Sequence, residues 1–283
     1  MASLTFVSRL LTALRRHWPH YVAEAAGLAF FVTCAGMLTM LVEHPASPLR
    51  QALPDSAVFR RVVIGVGMGL VLVTVIYSPW GKRSGAHINP AVTLAFWQLG
   101  KIRTPDALCY VAAQLTGALA AAQLLKYSFG DLYAHPAVNY TVTEPFAPAL
   151  RAELLAFGAE FVISFLLMLA ALVALHSKKL KEWTGWLLGG LLLVYIVVET
   201  PVSGMSLNPA RTLGTAVAAG HYDGWWLYWA APCLAMWLAT VAFLRYHHGQ
   251  PLHCAILAGC SPHPASPHEE EEQPPKYPTE HPD

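Results

Sequence analysis

Two copies of one nine-residue phrase constrain this chain more than anything else in it: Ser84-Gly85-Ala86-His87-Ile88-Asn89-Pro90-Ala91-Val92 and Ser203-Gly204-Met205-Ser206-Leu207-Asn208-Pro209-Ala210-Arg211. Asn is a favoured helix N-cap, and Pro suits the first helical position because its missing N–H would be unpaired there anyway. Each phrase therefore predicts a helix start. The first helix is expected from Pro90 to about Leu99, closed by Gly100, and the second from Pro209 to about Ala219, closed by Gly220. Helices of that length rise about 15 Å, half of a hydrocarbon core about 30 Å thick.

The surroundings of both phrases are apolar. Of 283 residues 55% are hydrophobic and 12% charged, about half the charged share of an ordinary soluble domain. A formal charge of +1 leaves no basic surface for nucleic acid. Six apolar stretches read as membrane spans: about Tyr21 to Val42, Val62 to Ser78, Pro105 to Tyr127, Glu153 to His176, Trp183 to Thr200 and Trp225 to His247. Lipid leaves exposed backbone groups unpaired, so non-helical segments at membrane depth persist only inside protein or along a wet cavity. The two Ser-Gly phrases fit that exception.

With the N-terminus placed in the cytoplasm, twelve of the eighteen Lys and Arg residues fall on cytoplasmic segments, which sets both termini inside. The first phrase then enters from the cytoplasm and the second from outside. The expected fold class is an all-α membrane protein, six transmembrane helices plus two re-entrant half-helices in an inverted 3+3 repeat. The expected division is a cytoplasmic N-terminal segment over 1–20, a channel domain over 21–247 and a disordered cytoplasmic tail over 248–283, rich in Pro, His and Glu. No cleavable signal peptide and no external disulfide framework are expected.

These residues resemble the major intrinsic protein family, the aquaporins and glycerol facilitators, over about Tyr21 to His247. The resemblance implies a passive membrane channel and no enzyme, with no cofactor and no metal. Asn89, Pro90 and Ala91 meet Asn208, Pro209 and Ala210 at the midplane. The Asn side-chain oxygens cap their own helices, leaving their amide nitrogens to donate to a solute, and the positive helix ends repel cations and hydronium. Backbone carbonyls of Gly85, Ala86 and His87 on one side, and of Gly204, Met205 and Ser206 on the other, are the implied acceptors. Glu24 and Glu160, recurring in the first span of each half, are implied to pin the loop backbones.

Arg211 is implied to sit in a narrow external filter with Ile196, Met205 and a second-span residue, Met68 or, without a one-residue insertion before Ser84, Gly69; Met68 is preferred. The markers Thr212, Ala216, Tyr228 and Trp229 lean toward water rather than glycerol. An apolar filter keeps small neutral solutes such as ammonia, urea or glycerol as the alternative. The resemblance also implies a homotetramer in the plasma or inner membrane.

Two other classes share these features. Inverted repeats also serve secondary transporters, which need a coupling-ion site, and a Met-lined filter suits a closed-pore structural membrane protein. His87 is a candidate pH sensor. Glu199 is expected to be solvated near the external end of the fifth span. Gln114, Gly117, Ala118, Gly189 and Gly190 suit close helix packing. His247, His248, His253, Cys254, Cys260 and His263 match no standard zinc spacing.

Overall fold

A computed structural model describes residues 5–147, 149–248, 252 and 254–259. Within them the chain forms α1 (Phe6–Glu43), α2 (Pro48–Ala52), α3 (Ala57–Tyr77), α4 (Pro79–Ser84), α5 (Pro90–Gln98), α6 (Thr104–Phe129), α7 (Asp131–Ala134), α8 (Leu150–His176), α9 (Thr184–Val198), α10 (Thr200–Ser203), α11 (Pro209–Ala219) and α12 (Leu227–Tyr246). Six helical runs among the described residues, α1, α3, α6, α8, α12 and Lys181–Val198, which contains α9, are long and apolar enough to cross a membrane. The half-helices α5 and α11 start on their Pro residues.

The inverted repeat is written into the packing. In the first half α1 lies against α6; in the second α8 lies against α12. The two second spans, α3 and α9, face each other, and each half-helix leans on the other half's third span, α11 on α6 and α5 on α12. Small residues permit these crossings. A Cβ added to Gly69 would stand 2.7 Å from the Gly189 carbonyl oxygen, and one on Gly189 would stand 2.8 Å from the Gly69 carbonyl oxygen. A Cβ on Gly117 would lie 2.2 Å from the carbonyl oxygen of Ala25. Gly190, by contrast, faces open space, so its expected packing role belongs to Gly189 alone.

The first span is longer than its apolar core. It begins at Phe6, where the Thr5 side chain accepts from the Ser8 amide, and it carries Pro19 inside. The turn around residues 17–21 is held at the end of the bundle where α1 starts and α12 stops. There Asp106 accepts from the Tyr21 hydroxyl at 2.6 Å and pairs with His17 at 2.7 Å, while His20 bonds the Arg83 carbonyl at 2.8 Å.

The expected disorder from residue 248 onward falls largely outside the described residues, as do His253, Cys260 and His263. Where the tail is described it is packed: Leu252, Cys254, Leu257 and Ala258 are buried in the main apolar cluster. Cys34, Cys109 and Cys233 are free, and Cys254 is disulfide-bonded.

Candidate functional site

The site is made where the two unwound phrases meet. Asn89 accepts at its side-chain oxygen from the Ala91 amide at 2.9 Å. Asn208 accepts from the amides of Ala210 and Arg211 at 3.1 and 3.3 Å. Each is therefore the cap of its own half-helix. The amide nitrogens reach across: Asn89 Nδ2 donates to the Leu207 carbonyl and Asn208 Nδ2 donates to the Ile88 carbonyl, both at 2.8 Å. The expectation left both nitrogens wholly to a solute. One donor of each is instead spent on the opposite loop, and since a primary amide carries two N–H bonds, one remains for the passage.

The loops reach this meeting point in a conformation that side chains resist. Gly85, Ala86 and Ile88 in the first loop, and Gly204, Met205 and Leu207 in the second, all have positive φ. For a β-branched residue such as Ile88 that is a strained state, kept only where the surroundings over-determine it. Two buried carboxylates supply the hold. Glu24 accepts from the Ser84 hydroxyl at 2.7 Å, the His87 amide at 3.0 Å, the Ile88 amide at 2.5 Å and Gln114 Nε2 at 2.8 Å. Glu160 accepts from the Ser203 hydroxyl at 2.7 Å, the Ser206 amide at 2.6 Å and the Leu207 amide at 2.9 Å. These are charge-assisted bonds in a site closed to water, where each is stronger than its surface counterpart.

A second pair of residues repeats the symmetry. Tyr110 on α6 donates its hydroxyl to the Ser84 carbonyl at 2.6 Å, and Tyr228 on α12 donates to the Ser203 carbonyl at 2.5 Å. Tyr228 was expected as a marker only, and Tyr110 was missed. Its signal in the sequence is position alone: Tyr110 and Gln114 stand one turn apart on a single face of α6. Gln114 is more than a packing residue, since it also donates to the Thr93 hydroxyl at 3.0 Å. Glu199 is not solvated. It is 5% exposed, and the Ser203 hydroxyl lies against both its carboxyl and that of Glu160, with one proton to donate between them.

The filter candidates converge. Met68 and Met205 are buried in one cluster with Tyr195 and Leu207, and Ile196 packs against it. Gly69 is spoken for by its crossing with Gly189, and Met68 is the second-span residue buried in this cluster, with Ile64, Val71 and Leu72 packed against it. Arg211 projects from the first turn of α11 and is half-buried, with its Nη1 unpaired among the described residues. Thr212 is tied between the Ser206 and Thr143 hydroxyls at 2.6 and 2.7 Å. Ala216 is buried on the same helix and Trp229 is half-buried on α12.

On the other side of the meeting point His87 stacks on Phe96, ring centroids 4.6 Å apart, and its Nδ1 lies 3.3 Å from the Thr93 hydroxyl. The carbonyl of Gly85 differs from expectation: it accepts from the Leu257 amide of the tail at 3.1 Å.

The arrangement offers amide donors at the centre, an apolar cluster that holds Met68 and Met205, and a cation, Arg211, on the first turn of the second half-helix. Among the described residues no group of three or more His, Cys, Asp or Glu is gathered as a metal would need.

Comparison with known proteins gives the same outline. The family described as "Major intrinsic protein" matches residues 12–243. Aquaporin NIP1-1 of Arabidopsis thaliana is 37% identical over 172 residues, 60% of this chain and 57% of that protein. Aquaporin NIP3-1 of Zea mays is 41% identical over 208 residues, 73% of this chain and 62% of that one. Nodulin-26 of Glycine max is 34% identical over 212 residues, covering 75% and 71%. The matches thus span somewhat under two thirds of the Arabidopsis and maize proteins. An X-ray structure of the aquaglyceroporin from Plasmodium falciparum superposes with a TM-score of 0.66 at 18% identity, covering 80% of this chain and 94% of that one; it shares the fold.

Proposed function

Because this chain belongs to the major intrinsic protein family, we propose that it conducts water passively in single file through the seam between its two half-helices while excluding protons and ions. The observation that carries this reading is the reciprocal hold of Asn89 and Asn208 on each other's loops, which brings two positive helix ends and two spare amide donors to one point. A water donated to from both amides has its lone pairs engaged. It cannot relay a proton along the file, and the helix-end field repels cations, as is general for aquaporin-type pores.

Arg211, Met68, Ile196 and Met205 form the filter in this reading. The guanidinium supplies donors and repels cations, while the thioethers and the Ile side chain make a wall without polar partners. Carbonyls of Ala86, His87, Gly204, Met205 and Ser206 serve as acceptors along the file. The protein is multi-pass, and both termini are cytoplasmic in this proposal, with one pore in each subunit of a homotetramer in the plasma or inner membrane.

A second reading is favoured by the same apolar ring. With Met68, Met205 and Ile196 packed together, the filter has no polar wall against a neutral solute, so ammonia, urea or glycerol are included as candidate cargo.

Stopped-flow light scattering on proteoliposomes tests both. Shrinkage in an impermeant osmolyte that is faster than in empty vesicles is expected. Re-swelling in glycerol, urea or an ammonium gradient separates a water-only pore from a wider one. Shrinkage no faster than in empty vesicles would sink the channel reading and favour a closed-pore structural protein.

A further inference from the structure

The first pore loop is covered from below. Beyond α12 the sequence turns apolar again at Leu252, Ala255, Ile256, Leu257 and Ala258, ahead of the acidic run Glu269 to Glu272. These tail residues return to the bundle. The Leu257 amide donates to the Gly85 carbonyl at 3.1 Å. The Ala255 carbonyl oxygen lies 2.9 Å from where a Cβ on Gly85 would stand, so the seat accepts only a glycine there. On the far side of the segment a Cβ on Gly259 would lie 2.7 Å from the Lys181 carbonyl oxygen, in the connection between α8 and α9.

Burial shows where the segment lies. Leu252 is 0% exposed and Leu257 4%. They belong to one cluster with Ala86 of the first loop, Phe96 of α5, Tyr110 of α6, Leu175 of α8 and Leu188 of α9. The segment thus reaches from Gly85 of the first loop to Lys181 in the connection between α8 and α9, so it touches both halves of the repeat. It also takes up the Gly85 carbonyl, one of the acceptors a file of water would need.

We propose that the tail segment carrying Leu252 and Leu257 is a built-in plug that closes the pore at the end where α1 starts and α12 stops, and that full conduction requires its withdrawal. The inference rests on the channel reading above. Apolar side chains filling a narrow passage exclude water there, and one backbone hydrogen bond with a small apolar seat is a hold that local unfolding can release.

The test compares three full-bundle proteins in liposomes at matched protein density: the unaltered chain, a chain ending at Gly249, and full-length Leu257→Glu, which puts a charge into the apolar seat. The unaltered chain is expected to conduct water weakly but above empty vesicles. Both variants should conduct roughly tenfold faster, as when a seat favoured by an order of magnitude in population is removed. Their glycerol-to-water and urea-to-water ratios should not move, because Met68, Ile196 and Arg211 lie beyond the meeting point. Variants that conduct no faster than the unaltered chain, all above empty vesicles, overturn the plug and leave the channel standing. If all three match empty vesicles, the channel reading falls and the plug with it. Hydrogen exchange on the unaltered protein needs no variant: a protected Leu257 amide is expected, and exchange at the free-chain rate overturns the seat.

Discussion

Glu160 satisfies three donors with two oxygens, and two of those donors are amides of the second loop. Glu160→Gln keeps one acceptor but turns an NH2 group toward an amide that also donates. The expected result is a loss of about 3 kcal/mol, the scale of a charge-assisted bond broken in a buried site, read as a lower unfolding temperature in detergent. Stability unchanged by the substitution would show that the loop does not depend on the carboxylate. Arg211 belongs to a different kind of argument, since its Nη1 has no partner among the described residues to lose. For Arg211→Ala the folded bundle should persist while cation leak through liposomes rises about tenfold, which corresponds to about 1.4 kcal/mol of electrostatic barrier removed. An unaltered ion profile would remove Arg211 from the filter. At this scale the sequence is legible only where the repeat exposes it. Glu24 and Glu160 could be read because they recur at matching places, whereas Tyr110 and Gln114 have partners 26 and 90 residues away that no local pattern announces.

At the scale of elements, helix crossings are set by glycines that the chain places in two very different environments. Gly117 on α6 lies so close to α1 that an added methyl would sit 2.2 Å from a backbone oxygen, while Gly158 on α8 has nothing within 4 Å. Gly117→Ala should therefore cost about 1–3 kcal/mol by forcing the two helices apart. Gly158→Ala should be neutral or stabilising by up to about 1 kcal/mol through helix propensity alone. Thermal unfolding of the two variants side by side checks this, and equal effects would refute the contact argument. The starts of α5 and α11 were readable because Asn-Pro is a local instruction. The separation of Gly189 from Gly190 was not, since adjacent positions on a helix differ by about 100° in direction and only the neighbouring helix decides which one is crowded. The backward extension of α1 to Phe6 escaped an apolar-run criterion for a related reason: the turn just before the expected span is held by polar contacts of His17 with Asp106 and of His20 with the Arg83 carbonyl.

For the whole molecule, the inverted repeat admits two modes of transport, a fixed pore or alternating access. Glu24 and Glu160 are engaged in holding loops, which leaves Glu199, buried against Ser203, as the carboxyl that an alternating-access reading would have to use. Water flux should follow the osmotic gradient in either direction and be indifferent to imposed sodium or proton gradients; uptake driven by either ion would place the protein among transporters.

The crossed bonds from Asn89 to Leu207 and from Asn208 to Ile88 also bear on assembly. During synthesis the donor for the Ile88 carbonyl, Asn208, is made some 120 residues after its acceptor, so the first loop cannot be closed until the second has been made. Neither half can mature by itself, so a lesion in one loop is inherited by its mirror image.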